Sequence, residues 1–105
     1  MRLAAGLKVS ALLRAVMAAG GFAVVLARGD ETAGSIAVVV RGKGEDVLLA
    51  PMMGAGGRYT HEEVARGAAI AAWCERARQR DPDLWLLELD IPDAARFIAD
   101  SIDGD

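Results

Sequence analysis

The chain has 105 residues, of which 53% are hydrophobic, and a formal net charge of -3 at pH 7. This length predicts a single domain over residues 1–105 with a buried core and a frayed C-terminal end, and the hydrophobic content excludes intrinsic disorder. Neither half of the sequence has the strong basic excess that nucleic-acid binding requires, so we expect no nucleic-acid partner.

Cysteine content and hydropathy bear on the compartment in which the protein works. Cys74 is the only cysteine, so an intramolecular disulfide is impossible. Lys8 and Arg14 interrupt the apolar N-terminal segment, which argues against a signal peptide. No uncharged run reaches the roughly 18 residues of a membrane span. The sequence therefore predicts a soluble, cytoplasmic protein without a membrane partner.

The first element in the chain is predicted to be an amphipathic helix. Five apolar residues follow the spacing i, i+3, i+4, i+7, i+8 and share one helix face: Val9, Leu12, Leu13, Val16 and Met17. Gly20 and Gly21 then end the helix, since glycine readily adopts the left-handed conformation found after a last turn. This apolar stripe must be buried, and the strands that follow offer the nearest apolar surface.

Three apolar, β-branched runs follow the helix, at 22–27, 36–40 and 47–50. Runs of this length, bounded by Gly and Asp, are typical of strands. The connections between them are too short for a parallel crossover, so we expect the three strands to form a continuous antiparallel meander.

Two loops resemble functional motifs and need a separate interpretation. Arg28-Gly29-Asp30 spells a cell-adhesion tripeptide, but without a secretion signal the sequence favours a turn in which the aspartate caps its own backbone. The segment 52–59 is rich in glycine, but it lacks both the Lys-Ser/Thr pair of a phosphate-binding loop and the dinucleotide spacing. We interpret it as a flexible connector.

The second predicted helix begins at an apparent capping box, Thr60-His61-Glu62-Glu63, and extends from about Glu62 to Arg80. Gly67 weakens a helix by roughly 1 kcal/mol relative to alanine, so the sequence leaves open whether this helix is continuous. We expect His61 to be solvated or to take part in capping, and Cys74 to behave as a small buried hydrophobe. The arginines near the helix end are expected on a solvated face: Arg76, Arg78 and Arg80.

Asp81-Pro82-Asp83 ends that helix, and residues 84–89 form the fourth predicted strand. Trp85, which shares a strand face with Leu87 and Leu89, is expected to be mostly buried against a helix. Pro92 then starts a short terminal helix.

The element order is α-β-β-β-α-β-α, which predicts an α+β fold. We expect a small, mainly antiparallel sheet of four strands, a three-strand meander plus a fourth strand, packed with two to three helices. The strands are apolar on both faces, so both faces need cover. The sequence leaves open which face the chain covers by itself.

Few residues stand in a chemically active context. No serine has the surroundings of a hydrolase nucleophile, and no group of His, Cys and Asp has the spacing of metal ligands. We therefore predict no metal and no cofactor, and we assign no catalytic residue.

Four segments, taken together, resemble one family: 9–14 (VSALLR), 19–23 (AGGFA), 28–34 (RGD followed by AG) and 81–88 (DPDLW followed by Glu88). The pattern resembles a small alphaproteobacterial family of domains of unknown function. The resemblance covers most of the chain and is weakest over 42–72. Such a family has no assigned activity, so the resemblance implies no catalytic residue. Six residues match its pattern and form a candidate ligand-binding set, with a purely structural role as the alternative: Arg14, Arg28, Asp30, Asp81, Asp83 and Trp85.

Two functional hypotheses follow. The sequence favours a non-enzymatic interaction or assembly module, because a catalytic set is lacking and apolar surface is in excess. Its partner would be a second copy in a homodimer, or another protein. The alternative is a small-ligand-binding protein or enzyme with a pocket between the helices and the Trp85 strand, where Arg14 or Arg28 would contact an anion.

Overall fold

A computed structural model describes residues 3–103 of the chain. Its helices and strands, in chain order, are α1 (Ala5–Ala18), β1 (Phe22–Ala27), β2 (Ile36–Val40), β3 (Val47–Met53), β4 (Tyr59–Arg66), α2 (Ala69–Arg80), β5 (Trp85–Asp90) and α3 (Ala94–Ile98). A 3-10 turn at Ala55–Gly57 joins β3 to β4, and α3 continues into a π-helical turn at Ala99–Asp103. The fold is α+β, as predicted, but the sheet within the described residues has five strands instead of four.

The strand order is β1-β5-β2-β3-β4, so the predicted meander of the first three strands is wrong. β5 lies between β1 and β2, antiparallel to β1 and parallel to β2, where Ile36 is opposite Trp85. The short connection does make β1 and β2 run in opposite directions, but it does not make them neighbours. The loop between them bonds to the start of β5, since Asp30 N–H donates to Asp83 O (2.9 Å) and Trp85 N–H donates to Ser35 O (2.8 Å).

The segment predicted to begin the second helix is instead β4. It forms a hairpin with β3, and the glycine-rich segment supplies the turn, with positive φ angles at Gly56 (84°) and Gly57 (76°). The capping box is wrong, because Thr60 Oγ1 donates to Glu62 (2.8 Å) within the strand. The predicted helix does not extend through Gly67, whose φ is 56°; α2 begins only at Ala69. Pairing with an apolar neighbour outweighs a local capping preference of about 1 kcal/mol.

Both faces of the sheet are covered by helices of the same chain. One core lies under α1 and α3; its largest fully buried side chains include Leu12, Val16, Trp85, Leu87, Leu89 and Ile98. The other lies under α2 and contains Ala37, Val39, Leu48, Ala50, Ala77, Leu84 and Leu86. Each strand of the centre contributes alternate residues to the two cores, which explains why the strands are apolar on both faces.

Trp85 and most of the predicted apolar stripe of α1 are buried. Trp85 is 1% exposed and shares its core with Leu87 and α1, which confirms its predicted position. On α1 the predicted stripe is buried at its centre, but Met17 is 56% exposed. No helix within residues 3–103 has the length and apolarity to cross a membrane.

Candidate functional site

Five of the six residues of the candidate set lie in two segments, 28–30 and 81–85, that meet at one end of the sheet. The indole Nε1–H donates to Asp30 O (2.8 Å), which ties the loop after β1 to the first residue of β5. The guanidinium of Arg28 lies over the same ring, with its central carbon 5.1 Å from the ring centroid. We call Arg28, Asp30, Asp81, Asp83 and Trp85 the Trp85 cluster.

Two glycines allow the loop to approach this cluster closely. A Cβ atom added at Gly29 would lie 2.1 Å from Asp83 O and 2.7 Å from Trp85 Cδ1. At Gly34 the corresponding distances would be 2.2 Å and 2.9 Å. Because real side chains do not tolerate such contacts with backbone, only glycine fits at either position. The residues of the RGD..AG and DPDLW segments are therefore in direct contact.

The aspartates of the Trp85 cluster form turns. Asp30 Oδ2 accepts hydrogen bonds from Thr32 N–H (3.0 Å) and Ala33 N–H (2.8 Å), and this confirms the predicted turn at Arg28-Gly29-Asp30. Asp81 Oδ1 accepts a hydrogen bond from Asp83 N–H (3.1 Å). Arg28 pairs with Glu31. These polar side chains are thus bonded within their own loops, and the two loops are joined through the backbone of Asp30, which bonds to Asp83 O and to the Trp85 indole.

Arg78 belongs to this arrangement, although its position near the end of α2 predicted a solvated side chain. Its Nη1 donates to the carbonyl oxygens of Arg28 (3.0 Å) and Leu84, so that α2 is tied to both loops. Nothing in the sequence distinguishes Arg78 from its neighbours Arg76 and Arg80. Arg14, the remaining member of the candidate set, has an exposed side chain on α1 and takes no part in the cluster.

His61 has a different role from the one predicted. It lies on β4, and its side chain is only 3% exposed. Its Nε2 lies 2.6 Å from Ile36 O, and its Nδ1 lies 2.8 Å from Asp103 Oδ1. A carbonyl oxygen can only accept, so Nε2 carries a hydrogen. The backbone N–H of His61 also donates to Asp103 Oδ2 (3.0 Å), which fixes the π-helical turn to β4.

An open groove of about 1320 Å³ lies beside this histidine. Its wall is formed by the start of α1, the loop before β2, the β3–β4 hairpin and the last turns of α2. The charged and polar side chains along it include Lys8, Arg58, Tyr59, His61, Arg80 and Asp81. Among the residues that the structure describes, the wall includes Asp81 of the candidate set and none of the other five. Neither arginine proposed for anion contact is part of it.

Cys74 and the acidic residues between positions 3 and 103 are the other groups that could take part in chemistry. Cys74 is half-buried against the core under α2, and this burial raises the pKa of its thiol. A raised pKa makes the thiol a poorer nucleophile at neutral pH. Within residues 3–103, no group of three or more His, Cys, Asp and Glu side chains is placed to hold a metal ion.

The fold is similar to solved structures from two bacteria. The solution structure of protein Atu0922 from A. tumefaciens is 36% identical, with 89% of each chain covered and a TM-score of 0.73. The crystal structure of a DUF1491 family protein from Caulobacter crescentus CB15 is 30% identical, with 91% of this chain and 94% of that chain covered and a TM-score of 0.79. An NMR structure of a DUF1491 family protein from the same bacterium is 31% identical, with 92% and 93% covered and a TM-score of 0.76.

Among curated proteins, none matches the sequence of this chain. The profile of the family described as "Protein of unknown function (DUF1491)" matches residues 3–99, including the segment 42–72 where the resemblance was weakest. The resemblance noted in the sequence is confirmed, and the chain belongs to the DUF1491 family.

Proposed function

We propose that this protein is a non-enzymatic interaction and assembly module that works as a homodimer. The observation that carries this proposal is the outer edge of β1. Phe22 and Leu26 on this strand are 53% and 52% exposed, although both faces of the sheet have helical cover. An open strand edge with exposed apolar side chains is a template for pairing with another chain.

The other edge strand, β4, has the features that oppose such pairing. It carries Glu62, Glu63 and Arg66, and Arg66 Nη2 donates to Glu63 Oε1 (2.7 Å). The two hydrogen bonds from Arg66 hold the pKa of the Glu63 carboxyl below its usual value. Asp103 also occupies the N–H of His61 on β4. Charged side chains and covered backbone groups protect an edge, so β1 is the edge available for assembly.

The composition of β1 supports a second copy as the partner. The strand Phe-Ala-Val-Val-Leu-Ala has no charged residue, so two copies meet without like-charge repulsion despite a net charge of -3 on each chain. Two-fold pairing is also the commonest form of assembly among soluble proteins. We place the protein in the cytoplasm, because its one cysteine is a free thiol and reducing compartments preserve free thiols.

Light scattering at micromolar concentrations tests the proposal. We expect a mass of twice 11.0 kDa, and we expect it to persist at high salt because the interface is apolar. A mass that stays at 11.0 kDa over the accessible concentration range overturns the homodimer.

Small-ligand binding is a second candidate function, and the groove of about 1320 Å³ is the observation that favours it. Its wall includes Arg80 and Asp81 at the end of α2, whereas Arg76 on the same helix is not part of it. A thermal-shift screen with nucleotides and small metabolites tests this function. A ligand of the groove should lose its stabilising effect with Arg80→Ala and keep it with Arg76→Ala. Equal loss with both variants, or no stabilisation by any compound, contradicts it.

A further inference from the structure

We infer that two copies pair through β1 about a two-fold axis at Val24, so that Phe22 of each copy packs against Leu26 of the other. This inference rests on the proposed homodimer and specifies its surface and register. It joins the two five-stranded sheets into one continuous sheet through an antiparallel pair of β1 strands. Three features of the chain carry it: the direction of the backbone groups of β1, the registers that these groups permit, and the side chains that each register brings together.

The backbone groups of Ala23 and Val25 point to the open edge. Trp85 N–H and Leu89 O bond to residues that flank β2, so the odd-numbered residues of β5 direct their backbone groups towards β2. The even-numbered residues of β5 therefore direct their backbone N–H and C=O groups towards β1. Phe22 and Val24 lie opposite even-numbered residues of β5 and exchange hydrogen bonds with them.

A register centred on Val24 uses all four free backbone groups of each copy, the N–H and C=O of Ala23 and of Val25. It places Ala23 of one copy opposite Val25 of the other, twice, and each such pair exchanges two hydrogen bonds. A register centred on Ala23 would bring Val25 opposite Gly21, whose N–H is already bonded to Val16 O (2.9 Å). A register centred on Val25 would bring Ala23 opposite Ala27, which faces β5 beyond the bulge at Val25/Ala27. Both alternatives lose hydrogen bonds that the Val24 register makes.

The same register matches the exposed side chains. In an antiparallel pair, the residue numbers of facing residues always have the same sum. With Val24 opposite Val24, Phe22 therefore lies opposite Leu26 of the second copy. Phe22 and Val24 lie opposite Asp90 and Glu88, on the sheet face of α2. Leu26 follows Val25, which packs against the core under α1, so strand alternation places Leu26 on the same face as Val24. The half-exposed side chains of the strand therefore cover one another.

Disulfide trapping reads this register directly. Val24 would form a non-hydrogen-bonded pair with itself, with Cα atoms about 4.5 Å apart, which is within the range of a disulfide. The two Ala23 residues would be offset along the strands, beyond the roughly 7 Å limit. In a Cys74→Ala background, we expect Val24→Cys to form a covalent dimer under mild oxidation at micromolar concentration. The matched variant Ala23→Cys should stay monomeric on a non-reducing gel.

A second pair of variants tests the surface without a cross-link. Leu26→Lys places two cations in the interface and should lower the mass in light scattering from twice 11.0 kDa to 11.0 kDa. Leu7→Lys makes the same change at a leucine of α1 that is 59% exposed, and it should leave the dimer intact. Both positions are more than half exposed, so both variants should fold, and circular dichroism verifies this.

The outcomes separate this inference from the proposed function. A wild-type dimer that persists with Leu26→Lys, or that cross-links equally with both cysteine variants, overturns the β1 register and leaves the homodimer standing. A wild-type mass of 11.0 kDa at every concentration overturns both. A dimer lost with Leu26→Lys, kept with Leu7→Lys and trapped only by Val24→Cys supports both.

Discussion

The imidazole Nε2 of His61 lies 2.6 Å from the carbonyl oxygen of Ile36, across the strand that separates them. Ile36 is the first residue of β2, and continuing the β2–β3 register by two residues places Pro51 opposite it. The carbonyl of Ile36 is directed towards β3, because the flanking Ser35 O bonds to β5. Proline has no N–H, so the ladder offers this carbonyl no donor. His61, which pairs with Pro51 on β4, donates in its place.

Removing this imidazole should therefore destabilise the protein. His61→Ala leaves Ile36 O without its donor and removes the Nδ1 contact with Asp103 Oδ1. An unsatisfied buried acceptor costs about 1–3 kcal/mol. Urea unfolding followed by circular dichroism measures the loss. Glu62→Ala, at an exposed neighbour on the same strand, should change the free energy of unfolding by no more than about 0.5 kcal/mol. Equal effects of the two substitutions would contradict this role of His61.

Trp85→Ala should reduce stability by about 3–5 kcal/mol, because it empties a large, fully buried aromatic site. It also removes the indole N–H that Asp30 O accepts. Trp73→Ala is the control, since that side chain is only half-buried against the other core, and its loss should be smaller. Denaturant unfolding compares the two. A loss below about 1 kcal/mol for Trp85→Ala would mean that the indole does not hold the loops together.

Gly29→Ala should be destabilising by about 1–3 kcal/mol, the usual cost of forcing extra atoms into a packed site. The new methyl group would lie 2.1 Å from Asp83 O, a backbone atom that can move only if the whole loop moves. Gly44→Ala is a matched control, because a methyl group there has no neighbour within 4 Å. In thermal melts, the midpoint of Gly29→Ala should lie clearly below that of Gly44→Ala. An unchanged midpoint for Gly29→Ala would show that the loop can move away from Asp83.

Cys74 should react slowly with thiol reagents. Burial raises the pKa of its thiol, so the thiolate fraction at pH 8 is smaller than that of an exposed cysteine. We expect the reaction with Ellman's reagent to be slow in the folded protein and to become fast in urea. The thiol pKa is higher in the folded state than in the unfolded state. The free energy of unfolding is therefore greatest below the ordinary thiol pKa, and it falls as the pH rises through the raised value. A fast reaction in the folded state would point to an activated nucleophile.

The sequence by itself determined the elements and contacts that depend on near neighbours. The 3.6-residue period of α1 correctly placed Val9, Leu12 and Val16 in the core, and the strand alternation placed Trp85 and Leu87 on one face. The turn at Asp30 was predictable because an aspartate bonds to backbone two or three residues ahead of it. The need for cover on both sheet faces also followed from the strands, which do not alternate apolar with polar residues.

Only the tertiary structure decided which strands are neighbours and which polar groups meet. The segment at Thr60 has local chemistry that suits a helix start, but its pairing with β3 made it a strand, because a hairpin partner contributes hydrogen bonds and apolar contacts that a cap cannot match. β5 separates β1 from β2 because the loop at Asp30 bonds to Asp83 and Trp85, residues far along the chain. His61 acquires its role from Ile36, 25 positions before it, and Asp103, 42 positions after it. Contacts between such distant residues form only when the whole sheet is assembled. Local residue spacing therefore does not predict them.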